Sequence, residues 1–347
     1  MKKKIVIATD GLLLDDHAKT AHGLIRGSKR FETLAIIDKK HKTMDAGNLL
    51  DGYHRNIPVI ASIDEAVNKF DNIDYLVIGV ATVGGILSNS LLNVISDAIT
   101  NGISIINGLH DQLKEHKDIV QLAKENQIEL IDIRKPKPLK ELHFWIGNIY
   151  QVDVPIIAFL AMDCAMGKRT TARLVMEECQ KNNIHTEMVY TGQTGWMQGN
   201  KHGFIFDSTL NDFVSGELEN AIVTCWEKEK PNLILLEGQS SLRNPSGPCG
   251  LEFLISGNAK QVVLIHAPNK KYFDDNPVWG EIPSVKSEIE IIEKFGSTVI
   301  ALALNTSRLT KDEALIHKTR YKKLLGIPVV MPLEEGVSNI ISAIKGL

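Results

Sequence analysis

The residues best suited to chemistry form a short loop near the middle of the chain, between a buried-type strand and a helix. Residues 163–171 (DCAMGKRTT) follow the apolar segment 155–160 and open a helical pattern at Lys168. This strand, loop and helix are the layout of a phosphate-binding P-loop, in which backbone N–H groups and a lysine ammonium face phosphate oxygens. The predicted phosphate site is Asp163, Cys164, Ala165, Met166, Gly167, Lys168, Arg169, Thr170 and Thr171.

The loop departs from the usual P-loop pattern at its entry and just after its lysine. Ala161 or Met162 stands where the first glycine is usual, and Arg169 stands where a Mg²⁺-binding hydroxyl usually follows the lysine. The pattern therefore predicts phosphate binding and leaves ATP hydrolysis open. Cys164, beside a lysine at a helix N-terminus, is either a nucleophile of lowered pKa or a small side chain filling a tight loop.

Polar residues also follow the other strands predicted in the second half. Glu237 ends the apolar run 233–237, Gln239 lies two residues later, and Gln193 and Thr194 follow the strand 186–190. Because strand ends of a parallel sheet converge, Glu237 is expected to face the phosphate site, as a base or a metal or water ligand; the alternative is a helix cap or a partner of Lys168. Asn305 follows the strand 298–304 and is expected either to hydrogen-bond the edge of a purine base or to form a loop turn.

The first half carries a second group of candidates. Lys19 and Arg26 lie two helical turns apart and so share a helix face, and His110 follows another predicted strand. These residues are suited to a cationic pocket for a carboxylate. Gly84 and Gly85 also fit an ordinary helix-entry turn, and no complete Gly-x-Gly-x-x-Gly fingerprint of a dinucleotide site occurs.

Composition limits the classes of function. The 347 residues are 44% hydrophobic and 23% charged, with a net charge of −3, which gives no global electrostatic case for nucleic acid or an anionic membrane. No apolar run is long enough for a membrane span, and the four cysteines show no paired spacing. We expect a cytoplasmic protein with small-molecule substrates, no bound metal, and a homo-oligomeric state.

Short apolar runs alternate with helical patterns along the whole chain, which predicts βαβ units and parallel sheets. The proline pair near residues 136–138 breaks the alternation, so a linker is placed at 139–154. The predicted fold class is α/β, with two doubly wound parallel-sheet domains: a Rossmann-like domain over 1–138 and a P-loop NTPase-like domain over 155–347.

Together these segments resemble the DgcN family, which was long known only as a domain of unknown function. The second half carries the resemblance in residues 163–171, 191–195 (TGQTG), 237–242 (EGQSSL) and 303–306 (ALNT). The first half carries it in 19–24 (KTAHGL), 57–59 (IPV), 108–111 (GLHD) and 132–136 (DIRKP). Two departures stand out: Ala161-Met162 replaces Gly-Thr at the loop entry, and Asn244 precedes Pro245 where histidine is expected.

The resemblance implies a D-glutamate N-acetyltransferase that uses acetyl-CoA. Glu237 is then expected to act as base, Lys168 and the loop N–H groups to hold phosphates, and Gln193, Thr194 or Gln239 to donate to the thioester oxyanion. Lys19, Arg26 or Arg134 would hold an acidic amino acid. If the family's histidine takes part in proton transfer, Asn244 implies a different substrate or a different route for the proton.

Two other functions remain open at this point. The P-loop alone resembles that of dethiobiotin synthetase, which implies an ATP- and Mg²⁺-dependent ligase or kinase acting on a small carboxylic acid. A nucleotide-sensing protein without catalysis is the third reading.

Overall fold

The computed structural model describes residues 2–347 as two compact α/β units. The first unit consists of the chain up to Pro136 together with the segment Gln193–Asn200. The second consists of Lys137–Gly192 and Lys201–Leu347. Residues 193–200 thus lie inside the range 155–347 in sequence but group with the first unit.

The first unit is built on a six-stranded parallel sheet with the strand order β3-β2-β1-β4-β5-β6. Its strands are β1 (Lys3–Ala8), β2 (Phe31–Ile37), β3 (Val59–Ile60), β4 (Tyr75–Ile78), β5 (Ser104–Asn107) and β6 (Leu130–Asp132). Its helices are α1 (Lys19–Ile25), α2 (Ala46–Asp51), α3 (Ile63–Lys69), α4 (Asn89–Thr100) and α5 (Lys117–Glu125). Serine hydroxyls cap α3 and α4, from Ser62 and Ser88.

The second unit is a second six-stranded parallel sheet, with the order β12-β11-β10-β7-β9-β8. Its strands are β7 (Ile156–Ala161), β8 (Thr186–Val189), β9 (Leu233–Glu237), β10 (Gln261–His266), β11 (Thr298–Leu304) and β12 (Val329–Val330). Its helices are α6 (Lys168–Lys181), α8 (Asn211–Glu229), α9 (Leu251–Ile255), α10 (Val285–Lys294), α11 (Lys311–Leu325) and α12 (Ser338–Ile344). The predicted α/β fold class with two parallel sheets is confirmed.

The core of each unit is its sheet. Every residue of β7 and β9 is buried, and the apolar side chains of β10 and β11 join them in one hydrophobic cluster. Strands of a parallel sheet are covered by helices on both faces, so they are apolar along their whole length instead of alternating. This is why the strands of the second unit can be predicted from the sequence.

The segment that the sequence suggested as a linker is fastened to α8 in the second unit. The buried carboxylate of Glu217 accepts hydrogen bonds from Lys137 Nζ (2.5 Å) and from His143 N and Nδ1 (2.9 and 2.8 Å). Glu219, also buried, accepts from the backbone N–H groups of Ile146 and Ile149. Two glutamates within one turn of α8 therefore hold this segment in place.

A short helix not foreseen from the sequence, α7 (Gln193–Gln198), belongs to the first unit. Met197 is fully buried in the core of that unit, and Gln198 Nε2 donates to Gly23 O at 2.8 Å. Ser28 Oγ in turn donates to Met197 O. The glycines and small polar residues of this stretch give no helical signal, because six residues carry too little periodicity to indicate a helix. Within residues 2–347, no helix combines the length and apolar character needed to cross a membrane.

Candidate functional site

The predicted P-loop has the expected strand, loop and helix. Strand β7 ends at Ala161, and α6 begins at Lys168. Ala165 and Gly167 have positive φ values of 54° and 100°, which turn the backbone sharply into the helix. Gly167, the N-cap residue of α6, has no side chain that could cap the helix, and the first-turn N–H groups of a helix are suited to donate to an anion.

Lys168 is the first residue of α6 and is nearly buried. Its ammonium donates to Asp163 O at 3.1 Å and to Ser240 O at 2.6 Å. The second contact joins the P-loop to the loop that follows β9. Lys168 is therefore held at the mouth of the helix N-terminus, where a phosphate would meet both the ammonium and the backbone donors.

Asp163, predicted as part of the phosphate site, is the centre of a buried network. Its carboxylate accepts from Lys270 Nζ (2.8 Å) and from Asn244 Nδ2 (2.7 Å). It also accepts from the backbone N–H of Asp274 at 2.7 Å. The side chain is completely buried, so its role in this geometry is to tie the P-loop to the segments around residues 244 and 274.

Asn244, which stands where histidine was expected, supplies the other half of this network. Its Nδ2 donates to both Asp163 and the Asp274 carboxylate (2.9 Å), and its Oδ1 accepts from Ser246 N and Oγ. All four hydrogen-bonding positions of the amide are used. Asn244 therefore connects loops here and is not arranged to carry a proton.

Ligand atoms of Asp163, Cys164 and Asp274 lie within 4.8 Å of one another, which is a spacing that a metal ion could use. The Lys270 ammonium and the Asn244 amide, however, point their hydrogens at these same carboxylates. These carboxylates therefore already accept hydrogen bonds from the protein itself. Cys164 is half-exposed, and its thiol donates to Ser240 Oγ at 3.5 Å.

Glu237 ends β9 and is buried beside the P-loop. Its Oε1 lies 3.3 Å from Arg169 Nη1, and its Oε2 accepts from Thr191 N at 3.3 Å. Burial raises the pKa of this carboxyl, although the neighbouring Arg169 opposes the rise. Of the roles left open for Glu237, ion pairing does occur: Arg169 is a direct partner, and the charge of Lys168 also favours the ionised carboxylate.

Gln239 reaches Glu237 through one threonine. Gln239 Nε2 donates to Thr191 Oγ1 (2.9 Å), and that hydroxyl donates to Glu237 O at 2.6 Å. Between them, Gly238 lies against β7, where a Cβ would come within 2.2 Å of Phe159 O. Only glycine allows this close approach, which brings Gln239 back toward β8.

Asn305 lies close to the P-loop but is fully engaged in the loop structure. Its Nδ2 donates to Met166 O at 3.1 Å, and its Oδ1 accepts from Ser307 N. This arrangement matches the loop-turn role, with an added tether to the P-loop. Thr171 is buried, and its N–H donates the first backbone hydrogen bond of α6, to Gly167 O. Thr170 is half-buried.

The remaining predicted residues lie in the first unit. Arg134 is buried, and its Nη2 donates to Gln193 Oε1 at 3.1 Å. Thr194 Oγ1 lies 2.9 Å from Thr20 Oγ1 in the core. Arg26 forms an ion pair with Asp51 at 3.3 Å, whose carboxylate also binds Arg55.

Lys19, at the start of α1, and His110, in the loop after β5, are exposed residues of the first unit. The structure thus gathers the P-loop, Glu237, Gln239 and Asn305 in one unit. It places Gln193, Thr194 and the four predicted cationic residues in the other.

Sequence reasoning missed the roles of Thr191, Ser240, Lys270 and Asp274. Lys270 and Asp274 follow β10, the strand next to β7 in the sheet. Their position after a strand was the available signal, but the order of the strands was needed to see that they reach the P-loop. Ser240 binds Lys168 through its backbone carbonyl, which residue type does not reveal, and the hydroxyl of Thr191 finds its partners only where β8 lies beside β9.

Comparison with known proteins gives concordant results. The family model described as "Domain of unknown function (DUF1611_C) P-loop domain" matches residues 143–341. The model described as "Domain of unknown function (DUF1611_N) Rossmann-like domain" matches residues 39–136. Together they cover the whole second sheet and strands β3 to β6 of the first.

Two curated relatives are each named D-glutamate N-acetyltransferase. The protein from Pseudoalteromonas sp is 28% identical over 273 residues, covering 77% of this chain and 80% of the relative. The protein from Tritonibacter scottomollicae is 25% identical over 279 residues, covering 78% and 81%. A crystal structure of a DUF1611 family protein from Anabaena variabilis superposes with a TM-score of 0.87 at 24% identity, covering 100% of both chains, and shows the same fold.

Proposed function

This chain belongs to the DUF1611 family, and from that membership and the geometry around Glu237 we propose that it transfers an acetyl group from acetyl-CoA to the amino group of D-glutamate or a similar acidic D-amino acid. Two curated relatives carry the name of this activity. The observation that carries the proposal is a buried carboxylate of raised pKa, held beside a P-loop by Arg169.

The P-loop suits the phosphates of acetyl-CoA. The uncapped N-terminus of α6 and the ammonium of Lys168 offer donors to an anion without any metal ligand. Acetyl transfer requires no metal ion, which is consistent with Arg169 standing in place of the usual Mg²⁺-binding hydroxyl. In this proposal Cys164–Thr171 holds acetyl-CoA, and Asn305 supports the loop through Met166 O.

Glu237 is the proposed general base. An amino acid binds as an ammonium, and one proton must leave before its nitrogen can attack the thioester carbonyl. The C–N bond then forms, the C–S bond breaks, and the CoA thiolate takes up a proton. A carboxyl group whose pKa is raised by burial is a better proton acceptor at neutral pH than an ordinary solvent-exposed one.

Gln239 is the proposed donor to the developing oxyanion, because its position is fixed through Thr191 next to the base. Gln193 and Thr194 are kept as further donor candidates. For the acidic substrate we propose recognition by Lys19, Arg26, His110 and Arg134, cationic side chains of the first unit. We further propose a homo-oligomer acting in the cytoplasm.

The test is release of CoA thiol from acetyl-CoA across a panel of D- and L-amino acids, with and without ATP and Mg²⁺. The proposal expects release that depends on an acidic D-amino acid, needs no ATP, and is lost in Lys168→Ala. Lys181→Ala is the matched control, since Lys181 lies exposed at the other end of α6. Consumption of ATP in place of thiol release would contradict the proposal.

The variant Glu237→Gln tests the role of Glu237 as base while leaving the local structure largely in place. Glutamine keeps an acceptor for the Thr191 N–H and a similar shape, but it does not accept the proton of an ammonium. We expect turnover to fall by about 10²–10⁴-fold with little change in the affinity for CoA. Unchanged turnover would rule out Glu237 as the base.

A further inference from the structure

Ser240 is in a strained backbone conformation at the point where it meets Lys168. Its φ is 33°, in the left-handed region that residues with a Cβ rarely adopt. Its carbonyl accepts the short hydrogen bond from Lys168 Nζ (2.6 Å), and its hydroxyl accepts from the Cys164 thiol. Strain of this kind persists only where the surrounding contacts maintain it.

The chain on both sides of this residue is anchored. Gly238 N donates to Phe159 O at 3.2 Å, which ties the upstream side to β7. Downstream, Ser241 is buried, its carbonyl accepts from Cys249 N, and its hydroxyl accepts from Asn244 N. The two residues between these anchors are Gln239 and Ser240.

The contact that maintains the strain is one that an anion can replace. A lysine ammonium bound to neutral carbonyl oxygens makes stronger, charge-assisted contacts with a phosphate. Lys168 stands at the N-terminus of α6, where a phosphate is also favoured by the backbone donors. An arriving phosphate would thus compete directly for the ammonium that holds Ser240 O.

We propose that Ser240 is a positioning residue of the phosphate site: its carbonyl holds Lys168 until a phosphate binds, and phosphate binding releases the strained peptide. The inference rests on the phosphate-binding part of the proposed function and not on acetyl transfer. Because Gln239 lies beside Ser240 and donates to Thr191, which in turn donates to Glu237 O, release of the Ser240 peptide would move a side chain close to Glu237. Occupation of the phosphate site would in this way rearrange the donor beside the base before the amino acid reacts.

The test compares Ser240→Gly with Ser240→Ala. Both variants lose the hydroxyl, and they differ only in the Cβ that makes the left-handed conformation strained. Glycine removes the strain from the conformation in which the carbonyl of residue 240 holds Lys168, so we expect CoA to bind about fivefold more weakly to Ser240→Gly than to Ser240→Ala in calorimetric titration. Without ligand, Ser240→Gly should melt at the higher temperature.

Hydrogen–deuterium exchange on the unaltered protein gives a second readout. Adding CoA should speed exchange at the amides of Gln239 and Ser240 while slowing it in the P-loop. Equal CoA affinities in the two variants, or protection of residues 239–240 on binding, would overturn the inference.

The outcome is separable from that of the proposed function. If CoA binds with the expected difference between the variants but no thiol is released, the acetyltransferase proposal fails and the role of Ser240 stands. If CoA does not bind, the titration is repeated with inorganic pyrophosphate. Failure of both probes to bind at millimolar concentration would overturn the role of Ser240 as well.

Discussion

Replacing Arg169 with methionine should move the acidic limb of the pH–activity profile to higher pH. Arg169 Nη1 lies 3.3 Å from Glu237 Oε1, and the two side chains are 17% and 3% exposed. Arg169 favours the charged carboxylate, while burial favours the neutral acid and raises the pKa. Without the guanidinium, burial acts with less opposition and the pKa of Glu237 rises further.

The size of the change follows from the distance. Two unit charges 3.3 Å apart interact by about 5 kcal/mol at an effective dielectric constant of about 20, which is an upper limit for a partly exposed, delocalised guanidinium. Opposite charges at such distances commonly shift a carboxyl pKa by about 1–3 units, or about 1.4–4 kcal/mol. We therefore expect the acidic limb of kcat/KM to move up by about 1–3 pH units.

The assay is thiol release measured from pH 5 to 10 at limiting amino acid and saturating acetyl-CoA. Lys181→Met is the control, because it removes a positive charge from the exposed end of the same helix and should leave the profile in place. A limb that stays where it is in Arg169→Met, with activity retained, would refute the assignment of Glu237 as the titrating base.

Three further changes test the structure itself. Glu217→Gln should lower the free energy of unfolding by about 1.5–3 kcal/mol in urea at pH 7, because the buried carboxylate then no longer accepts charge-assisted hydrogen bonds from Lys137 and His143, whose own side chains are about half exposed. Burial acts to raise the pKa of Glu217, but its hydrogen bonds outweigh burial and hold the pKa below 4.5. The stabilisation by the carboxylate is therefore lost as pH falls through the folded pKa, and the difference in unfolding free energy between variant and parent should disappear there. Met197→Ala should destabilise the first unit by about 2–5 kcal/mol, whereas the half-exposed Met44→Ala should change stability by about 0.5 kcal/mol or less; equal effects would contradict the burial of α7. Asn244→Asp removes two donors at a fully buried position and places a carboxylate against the buried Asp163, so we expect a loss of about 3 kcal/mol or more in thermal unfolding, and an unchanged melting temperature would count against the network.

The parts of the fold that were predictable are those with a long local signal. Strands such as β7 and β9 are uninterrupted apolar runs because both faces are buried, and helices such as α6 and α8 carry 14 and 19 residues. The elements that escaped prediction are short: β3 has two residues and α9 has five. Such elements exist because of their tertiary partners, since too few residues are available for periodicity to show.

The candidate site divides in the same way. The P-loop was visible because its backbone geometry requires a particular order of strand, glycine, lysine and helix. The pairing of Glu237 with Arg169 was not visible, because it depends on β9 lying beside β7 in the sheet. The network of Asp163 with Asn244 and Lys270 likewise joins residues up to 107 positions apart (270 minus 163).

By itself, the sequence determined the two α/β halves, the position of the phosphate loop, and the carboxylate at the end of β9. These are local properties: apolar runs exclude water over consecutive residues, and a glycine–lysine pair at a helix start needs no distant partner. Only the tertiary structure decided which strands are neighbours, that Gln193–Asn200 joins the first unit, and that Lys168 is held by Ser240 O. Those outcomes depend on packing between segments far apart in the chain, where burial and hydrogen bonding are shared by residues whose types alone do not identify their partners.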